Sequence, residues 1–484
     1  MLIKGGFVYD GVEEDPQRKD ILIRGNQIVR IGNFPKNSAE HVVDASGAFV
    51  CPGFIDVSSD IDRYLGVFSH ELQCCFLRRG ITTVIGGNFG LSLAPLAPAF
   101  LDELYRPADS SLGNAHWHSV KEYFEALRRQ KLLLNFGTMV GHFNLRHLFS
   151  SSRGSAALLK SAEKFLREGA FGISFDFDDV LHARVSFREA RMFGKTVAKA
   201  GGVLSVRLSG DEDFSRAVRK LIELSEESGV RIVVQHTRPS PTFLEEWEDL
   251  EKFLESQGSR ANVRVDFFPS EYVEMPVYRF LPSSYYSLGL RGMAEKIFLQ
   301  DFEEEILDYV RSLSLERVLV GYAPEHLSFL QGKSLKELAE TFGMPEERAM
   351  LQLMRVSKLR AVCLSWQAHE RDFRPLFGSS FSFLSSCGII PLERALSTEV
   401  GFCVRRLKKL AGLAGSSFGK VIAKVTSEPA RVFRVPKRGM LRESYAADIV
   451  IIRDGEVRQV FLGGNLQYDE GKFAGEGGGK ILTP

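Results

Sequence analysis

The sequence lacks the features that mark several classes of protein. It has no P-loop and no dinucleotide-binding glycine fingerprint, which argues against an NTPase or a nicotinamide-dependent dehydrogenase. Its 62 lysines and arginines are balanced by 61 aspartates and glutamates, and the net charge of +1 gives no sign of a nucleic-acid partner. None of its six cysteines forms a C-x-x-C pair, so neither a disulfide framework nor a cysteine zinc site is predicted.

The sequence also lacks a signal peptide and an unbroken membrane span. Met1 leads directly into the strand-like run LIKGGFVYD. Residues 81–101 are uncharged and about long enough to cross a bilayer, but Pro95, Pro98 and several glycines interrupt them. We therefore expect a cytoplasmic protein with reduced thiols and no contact with a membrane.

What the sequence does contain is two β-rich ends around a mixed α/β centre. Its 484 residues exceed one average domain. Short strand patterns alternate with glycine turns near the start of the chain and again over 447–473. We predict one small β-sandwich domain built from 1–53 plus 437–484, and a larger domain at 54–436.

The larger domain alternates apolar runs with helical patterns, which is typical of βα units around a parallel sheet. Eight such strands would close a (β/α)8 barrel, whose active site lies at the C-terminal ends of the strands. The helix-rich segment 283–358 is predicted to be an insertion. Nine runs are candidates for the eight strands: 54–57, 81–86, 134–141, 171–176, 202–208, 231–236, 262–268, 360–366 and 375–380.

Candidate site residues are those that stand at the ends of these runs. The acids after the fourth run could bind a hard cation, although acids in such positions more often cap a helix or face water. His116 and His118 form a literal His-x-His, but they precede a helix rather than follow a strand, so no metal role is expected for them. The candidates are Ser58, Asp60, Asn88, Phe89, His142, Asp176, Asp178, Asp179, Arg207, His236 and Ser380.

Several segments resemble one family. VVDASGAFVCPGFIDV resembles its entry to strand one, GITTVIGGNFGLSLAP its second strand and VGHFNLR its third, and RGMLRESYAADIVIIRDGEV its return to the β domain. They occur in family order over nearly the whole chain. The sequence thus resembles the amidohydrolase superfamily, in particular the N-acyl-D-amino-acid deacylase (D-aminoacylase) branch. That resemblance implies zinc-assisted hydrolysis of the amide bond of N-acyl amino acids, with an aspartate that shuttles the proton.

The residues that would carry this chemistry differ from the family pattern. His236 stands where the family has the histidine after strand six, and Arg238 matches a basic residue that contacts the substrate carboxylate. The other positions are replaced: the His-x-His after strand one is Ser58-Ser59-Asp60, the cysteine after strand two is Phe89, the histidine after strand five is Arg207, and the proton-shuttle aspartate is Ser380.

These replacements leave few metal ligands. Phenylalanine donates no electron pair, and arginine is a fixed cation that repels Zn²⁺. His236 and Asp60 remain as weak ligand candidates, which is fewer than a zinc site needs. We therefore expect no cofactor, and we expect Arg207 to pair with Asp60 or with an acid of the run 176–179.

Two functions are compatible with this pattern. The chain is either an active hydrolase with a remodelled site, or a non-catalytic relative, a pseudoenzyme that serves as a scaffold or binds a small carboxylate through Arg207 and Arg238. The lost ligands favour the second function.

Overall fold

Short strands alternate with short helices along the chain. In the computed structural model the described residues are 1–484 without 62–64, 97–116, 149–154, 180, 182–184, 209–212, 240–242, 258–261, 314, 316, 367, 387–402 and 475–476. The described strands are β1 (Leu2–Val8), β2 (Gln17–Arg24), β3 (Gln27–Gly32), β4 (Val42–Asp44), β5 (Phe49–Pro52), β6 (Phe54–Asp56), β7 (Ile81–Gly86), β8 (Asn135–Thr138), β9 (Val140–Gly141), β10 (Gly172–Asp176), β11 (Val203–Arg207), β12 (Arg231–Gln235), β13 (Val263–Phe267), β14 (Tyr272–Pro276), β15 (Val318–Tyr322), β16 (Val362–Trp366), β17 (Ser382–Leu384), β18 (Ile449–Arg453), β19 (Glu456–Leu462), β20 (Asn465–Asp469) and β21 (Lys472–Phe473).

The helices between them are mostly two to four turns long. They are α1 (His70–Arg78), α2 (Val120–Arg128), α3 (His142–Leu148), α4 (Ser155–Arg167), α5 (Phe187–Lys199), α6 (Phe214–Ser228), α7 (Phe243–Gln257), α8 (Gly289–Lys296), α9 (Glu303–Ser312), α10 (Leu335–Phe342), α11 (Glu346–Val356), α12 (Arg374–Gly378), α13 (Val404–Leu413), α14 (Phe418–Val425) and α15 (Ser427–Phe433). Within the described ranges, none of these helices has the length and apolar character that crossing a bilayer requires.

Eight parallel strand positions form the predicted barrel. β6, β7 and β8 pair in parallel, and so do β9, β10, β11, β12, β13 and β17, with β8 and β9 sharing the third position. Every residue of β7, β10 and β12 is buried, as expected of parallel strands that helices cover on the outside. The structure therefore confirms the (β/α)8 fold.

The helices of the barrel begin and pack as their sequences predict. In α5 the side chain of Ser186 accepts from the backbone of Glu189, and Glu189 caps Ser186 in return, which is a complete capping box. Ala190, Phe193 and Val197, spaced three and four residues apart, turn one apolar face towards the strands. This packing fixes the positions of the strand ends that precede and follow the helix.

Two of the nine candidate strands are not barrel strands. Residues 360–366 contribute β16, which pairs antiparallel with β14 and β15 in a separate sheet. Residues 375–380 lie mainly in α12, which has Pro375 in its first turn, and the eighth barrel strand is β17, just after it. A short apolar run such as PLF does not distinguish a buried helix from a strand by periodicity, which explains the wrong assignment.

The insertion is wider than the predicted 283–358. Its three-stranded sheet begins at Tyr272 and ends at Trp366, and it encloses four helices, α8 to α11. These elements share a second core of buried side chains, among them Phe280, Tyr285 and Met354. The insertion is therefore a small α/β unit with its own hydrophobic core.

Both ends of the chain contribute to one nine-stranded sheet. Its order is β21-β20-β19-β18-β5-β1-β2-β3, with β4 beside β1. The segment after β21 then returns to the barrel, where Leu482 N donates to Phe136 O at 2.8 Å and the Leu482 side chain is buried. The exact domain boundaries given by the sequence remain a prediction.

Candidate functional site

The C-terminal ends of the barrel strands bring several of the candidate residues together. We give the name strand-end centre to six residues: Ser58, Phe89, Asp176, Arg207, His236 and Asp266. Each lies at or near the C-terminal end of a different strand, and these strands are β6, β7, β10, β11, β12 and β13. Five of the six were candidates from the sequence.

Arg207 and Asp176 form a close ion pair at this centre. Arg207 Nε donates to Asp176 Oδ1 at 2.9 Å, and Arg207 Nη2 donates to Asp176 Oδ2. The Asp176 side chain is fully buried, whereas that of Arg207 is 23% exposed. Burial lowers the pKa of Arg207, but the charge and hydrogen bonds of Asp176, together with the charges of Asp178 and Asp60, outweigh burial and hold the pKa above its usual value. The two residues end neighbouring strands in register, which explains the bidentate geometry.

Phe89 lies between the arginine and the histidine. The guanidinium of Arg207 is 5.0 Å from the centre of the Phe89 ring, and the ring of His236 is 4.6 Å from it. Both Phe89 and His236 have positive φ, +53° and +49°, in the left-handed region that bulky residues rarely adopt. Two such residues in contact indicate a backbone that the surrounding packing holds in place.

His236 is uncharged at neutral pH. Burial first, and then the nearby charges of Arg238 and Arg207, lower its pKa to about 3. Its backbone N–H donates to Asp266 Oδ1 at 2.6 Å. The imidazole therefore adds no positive charge to the centre.

Asp266 connects several strand ends and was not a candidate from the sequence. It is completely buried, and its second oxygen accepts a hydrogen bond from Ser58 Oγ. Gln235 Nε2 donates to Ser58 Oγ at 3.0 Å and to Asn88 Oδ1 at 2.8 Å, which continues the network to β7. The sequence signal that could have identified Asp266 is a single carboxylate inside the strand pattern NVRVDFF. A carboxylate buried in a strand needs hydrogen-bond partners.

Asp56 holds the eighth strand position against the first. Its Oδ1 accepts from the backbone N–H groups of Ser58 and Ser386, both at 3.2 Å, and its Oδ2 accepts from Ser386 Oγ. Burial raises the pKa of Asp56 to about 6. Like Asp266, it was not a candidate from the sequence.

The remaining candidates do not belong to the strand-end centre. Ser380 is exposed and precedes β17, whereas Ser385 and Ser386 follow it. The eighth strand was misplaced in the sequence analysis, and the assignment of Ser380 to the proton-shuttle position stays a prediction. Arg238 is exposed and Asp60 is buried.

Two further histidines, His142 and His118, do not belong to the strand-end centre. His142 is buried and stacks on Phe175 with ring centres 4.5 Å apart, and burial lowers its pKa to about 3. His118 is exposed before α2, and His116 lies outside the described residues.

The buried Asp266 gives a testable pH dependence. Burial raises its pKa from 3.8 to about 7, so the folded state binds a proton more readily than the unfolded state does. The unfolding free energy of wild type relative to Asp266→Asn should therefore fall as the pH rises from about 4 to about 8. Urea unfolding of both proteins at pH 5 and pH 8 measures this, and an unchanged difference would contradict the prediction.

The described residues do not fit a zinc site. Such a site needs three or four nitrogen, sulfur or oxygen ligands. In the part of the chain that the structure describes, no three histidine, cysteine, aspartate or glutamate side chains are grouped so that they could hold a metal ion. The guanidinium of Arg207 places a fixed positive charge beside Phe89 and close to His236.

No family model matches the chain, but curated proteins and solved structures do. D-aminoacylase of Alcaligenes xylosoxydans xylosoxydans is 25% identical over all of this chain and 97% of its own length. N-acyl-D-glutamate deacylase of the same organism is 26% identical over 93% of this chain and 86% of its own length. The whole chain is therefore similar to enzymes that are named for the removal of acyl groups from D-amino acids.

The solved structures agree in fold. N-acyl-D-glutamate deacylase from Bordetella bronchiseptica, in complex with zinc and a phosphonate inhibitor, superposes with a TM-score of 0.78 at 21% identity and covers 100% of this chain and 99% of its own. A D-aminoacylase structure gives 0.75 at 21% identity with the same coverage. These likenesses establish the barrel fold of the D-aminoacylases.

The same structures correct one prediction. We expected no cofactor, but the similar N-acyl-D-glutamate deacylase contains zinc, and another similar D-aminoacylase structure concerns a binuclear metal centre. The metals of these similar proteins contradict that expectation.

Proposed function

We propose that this chain, which resembles the N-acyl-D-amino-acid deacylases of the amidohydrolase superfamily along its whole length, is a diverged relative that binds a small carboxylate without hydrolysing it. The observation that carries this proposal is the buried ion pair of Arg207 and Asp176. It lies at the strand ends, where a barrel of this kind has its active site.

The ion pair of Arg207 and Asp176 argues against the chemistry of amide hydrolysis. A hydrolase must activate a water molecule and stabilise the charge that develops on the carbonyl oxygen. Here Asp176 occupies the fork of Arg207, and the Phe89 ring covers the face of the guanidinium. Asp266, a buried acid, accepts hydrogen bonds from Ser58 and from the backbone of His236.

Arg238 is the residue that we expect to contact a ligand. It is exposed, and it is close enough to His236 for its charge to lower the pKa of that imidazole. Both arginines were predicted to contact the carboxylate, and Arg238 is the more exposed of the two. An N-acyl-D-amino acid is the ligand class to test first, since the similar proteins are named for such compounds.

The absence of turnover can be tested directly. We expect no hydrolysis of N-acetyl-D-glutamate, N-acetyl-D-aspartate or N-acetyl-D-leucine above the uncatalysed rate, even with zinc added in excess. A D-aminoacylase assayed in parallel is the positive control. Turnover by this chain would support the alternative of an active hydrolase with a remodelled site.

Ligand binding is measured separately by calorimetry with N-acetyl-D-glutamate. A charge-assisted contact contributes ~1.5–3 kcal/mol, so Arg238→Ala should weaken binding at least tenfold. The control is Arg291→Ala on the insertion, whose side chain is 91% exposed. If wild type does not bind N-acetyl-D-glutamate or N-acetyl-D-leucine, the carboxylate-binding function is wrong and a scaffold role is favoured.

A further inference from the structure

The short loop after β10 links the strand-end centre to the insertion. We call residues 177–179 and 181 the strand-four loop. At its start, Phe177 N donates to Arg207 O at 2.9 Å and Asp178 N donates to Asp176 Oδ1 at 2.9 Å. The loop backbone is thus bonded to both members of the central ion pair.

The other side of the strand-four loop contacts the insertion. Arg279, in a single 3-10 turn (Val277–Phe280), donates through Nη2 to Asp178 Oδ2 at 3.2 Å and through Nη1 to Asp178 O at 3.3 Å. Tyr286 Oη donates to Arg279 O at 3.2 Å, which fixes that turn within the insertion. The Leu181 side chain packs against the hydrophobic core of the insertion.

We propose that Arg279 is a positioning residue for the Arg207–Asp176 pair. It acts through Asp178, whose side chain it binds and whose backbone N–H is bonded to Asp176. Charges alternate along this path, Arg207 to Asp176 and Asp178 to Arg279, so one arginine holds the last residue of β10 and the other holds an acid of the strand-four loop. The insertion and the strand-end centre would then order together.

The two pairs differ in how firmly they are held. Arg207 and Asp176 meet in a bidentate contact with the acid fully buried, whereas the side chains of Arg279 and Asp178 are 26% and 27% exposed. A pair of which about a quarter is exposed contributes less to global stability than a fully buried one, because water screens it. Loss of Arg279 should therefore loosen the loop without unfolding the protein.

The test combines hydrogen exchange with chemical labelling, and it uses no ligand. In Arg279→Ala we expect the exchange of the backbone amides of Phe177, Asp178 and Leu181 to rise about fivefold or more. Phenylglyoxal, which modifies arginines, should label Arg207 faster, as read by mass spectrometry of its peptide. The matched control is Arg348→Ala, an arginine that pairs with Glu303 and Glu304 inside the insertion.

A charge reversal separates positioning from a general loss of structure. Arg279→Asp combined with Asp178→Arg should restore slow exchange and slow labelling, whereas either change alone should not. The inference is overturned if Arg279→Ala leaves both readouts at their wild-type values, if Arg348→Ala raises them equally, or if the reversed pair fails to restore them. A failure of carboxylate binding would not affect this result.

Discussion

Replacing Arg207 by methionine is expected to lower the unfolding free energy by about 3–5 kcal/mol, which is the usual cost of leaving one partner of a buried ion pair uncompensated. Asp176 is the partner left behind, and its side chain has no exposure to water. The two hydrogen bonds that Arg207 donates to its carboxylate would disappear together, and methionine has no donor to replace them. Urea unfolding followed by circular dichroism measures the loss.

Two further variants serve as controls for Arg207→Met. Arg291→Met removes an arginine of the insertion whose side chain is 91% exposed beside Glu295, and it should cost about 0.5 kcal/mol or less. Arg207→Met combined with Asp176→Leu should recover most of the stability, since no buried charge is then left unpaired. If Arg207→Met cost no more than Arg291→Met, the ion pair would not stabilise the strand-end centre.

The barrel was predictable because the pattern of an apolar run followed by a helix repeats along the sequence. Apolar runs such as Gly172–Asp176 and Arg231–Gln235 are separated by helices with clear faces, and each βα unit confirms the next. The eighth strand was misplaced because a single short run carries little information by itself. Only tertiary packing decides that Leu376 and Phe377 are buried on a helix, while Phe383 lies in a strand that pairs with β13.

The insertion shows the same limit of prediction from local sequence. Its helices were visible in the sequence, but β14 and β16 pair across a separation of about ninety residues, and no local pattern records a partner so far away. The strand pattern of residues 360–366 was correct, whereas its sheet was not. Pairing is a property of the folded chain rather than of a segment.

Some residues of the candidate site could be predicted from the sequence, and others could not. Residues after strands, such as Phe89, Arg207 and His236, were found from position alone, and the pairing of Arg207 with an acid of the run 176–179 was also foreseen. Asp56 and Asp266 were missed because their role depends on partners distant in the sequence, Ser386 and Ser58. A charged residue inside an apolar strand indicates such a partner without naming it.

The position of Asp56 at the seam between the first and the eighth strand should make it sensitive to substitution. In the described sheets β6 pairs with β7, β17 pairs with β13, and no backbone ladder joins β6 to β17. The carboxylate of Asp56 crosses this gap, because it accepts from both the backbone and the hydroxyl of Ser386. It also accepts from Ser58 N, so one side chain holds both sides of the seam.

Asp56→Ala should accordingly destabilise the protein by on the order of 4 kcal/mol, because each buried donor left without an acceptor costs about 1–3 kcal/mol. Asp56→Asn, which retains one acceptor oxygen, should cost clearly less. Asp44→Ala is the control, since that exposed aspartate also accepts a backbone hydrogen bond, from Ser46 N. Urea unfolding gives the three values, and hydrogen exchange should show faster exchange in β6 and β17 for Asp56→Ala alone. If the Asp56→Ala and Asp44→Ala variants were equally stable, the seam would have to be closed by the packing of α14 and α15 against these strands.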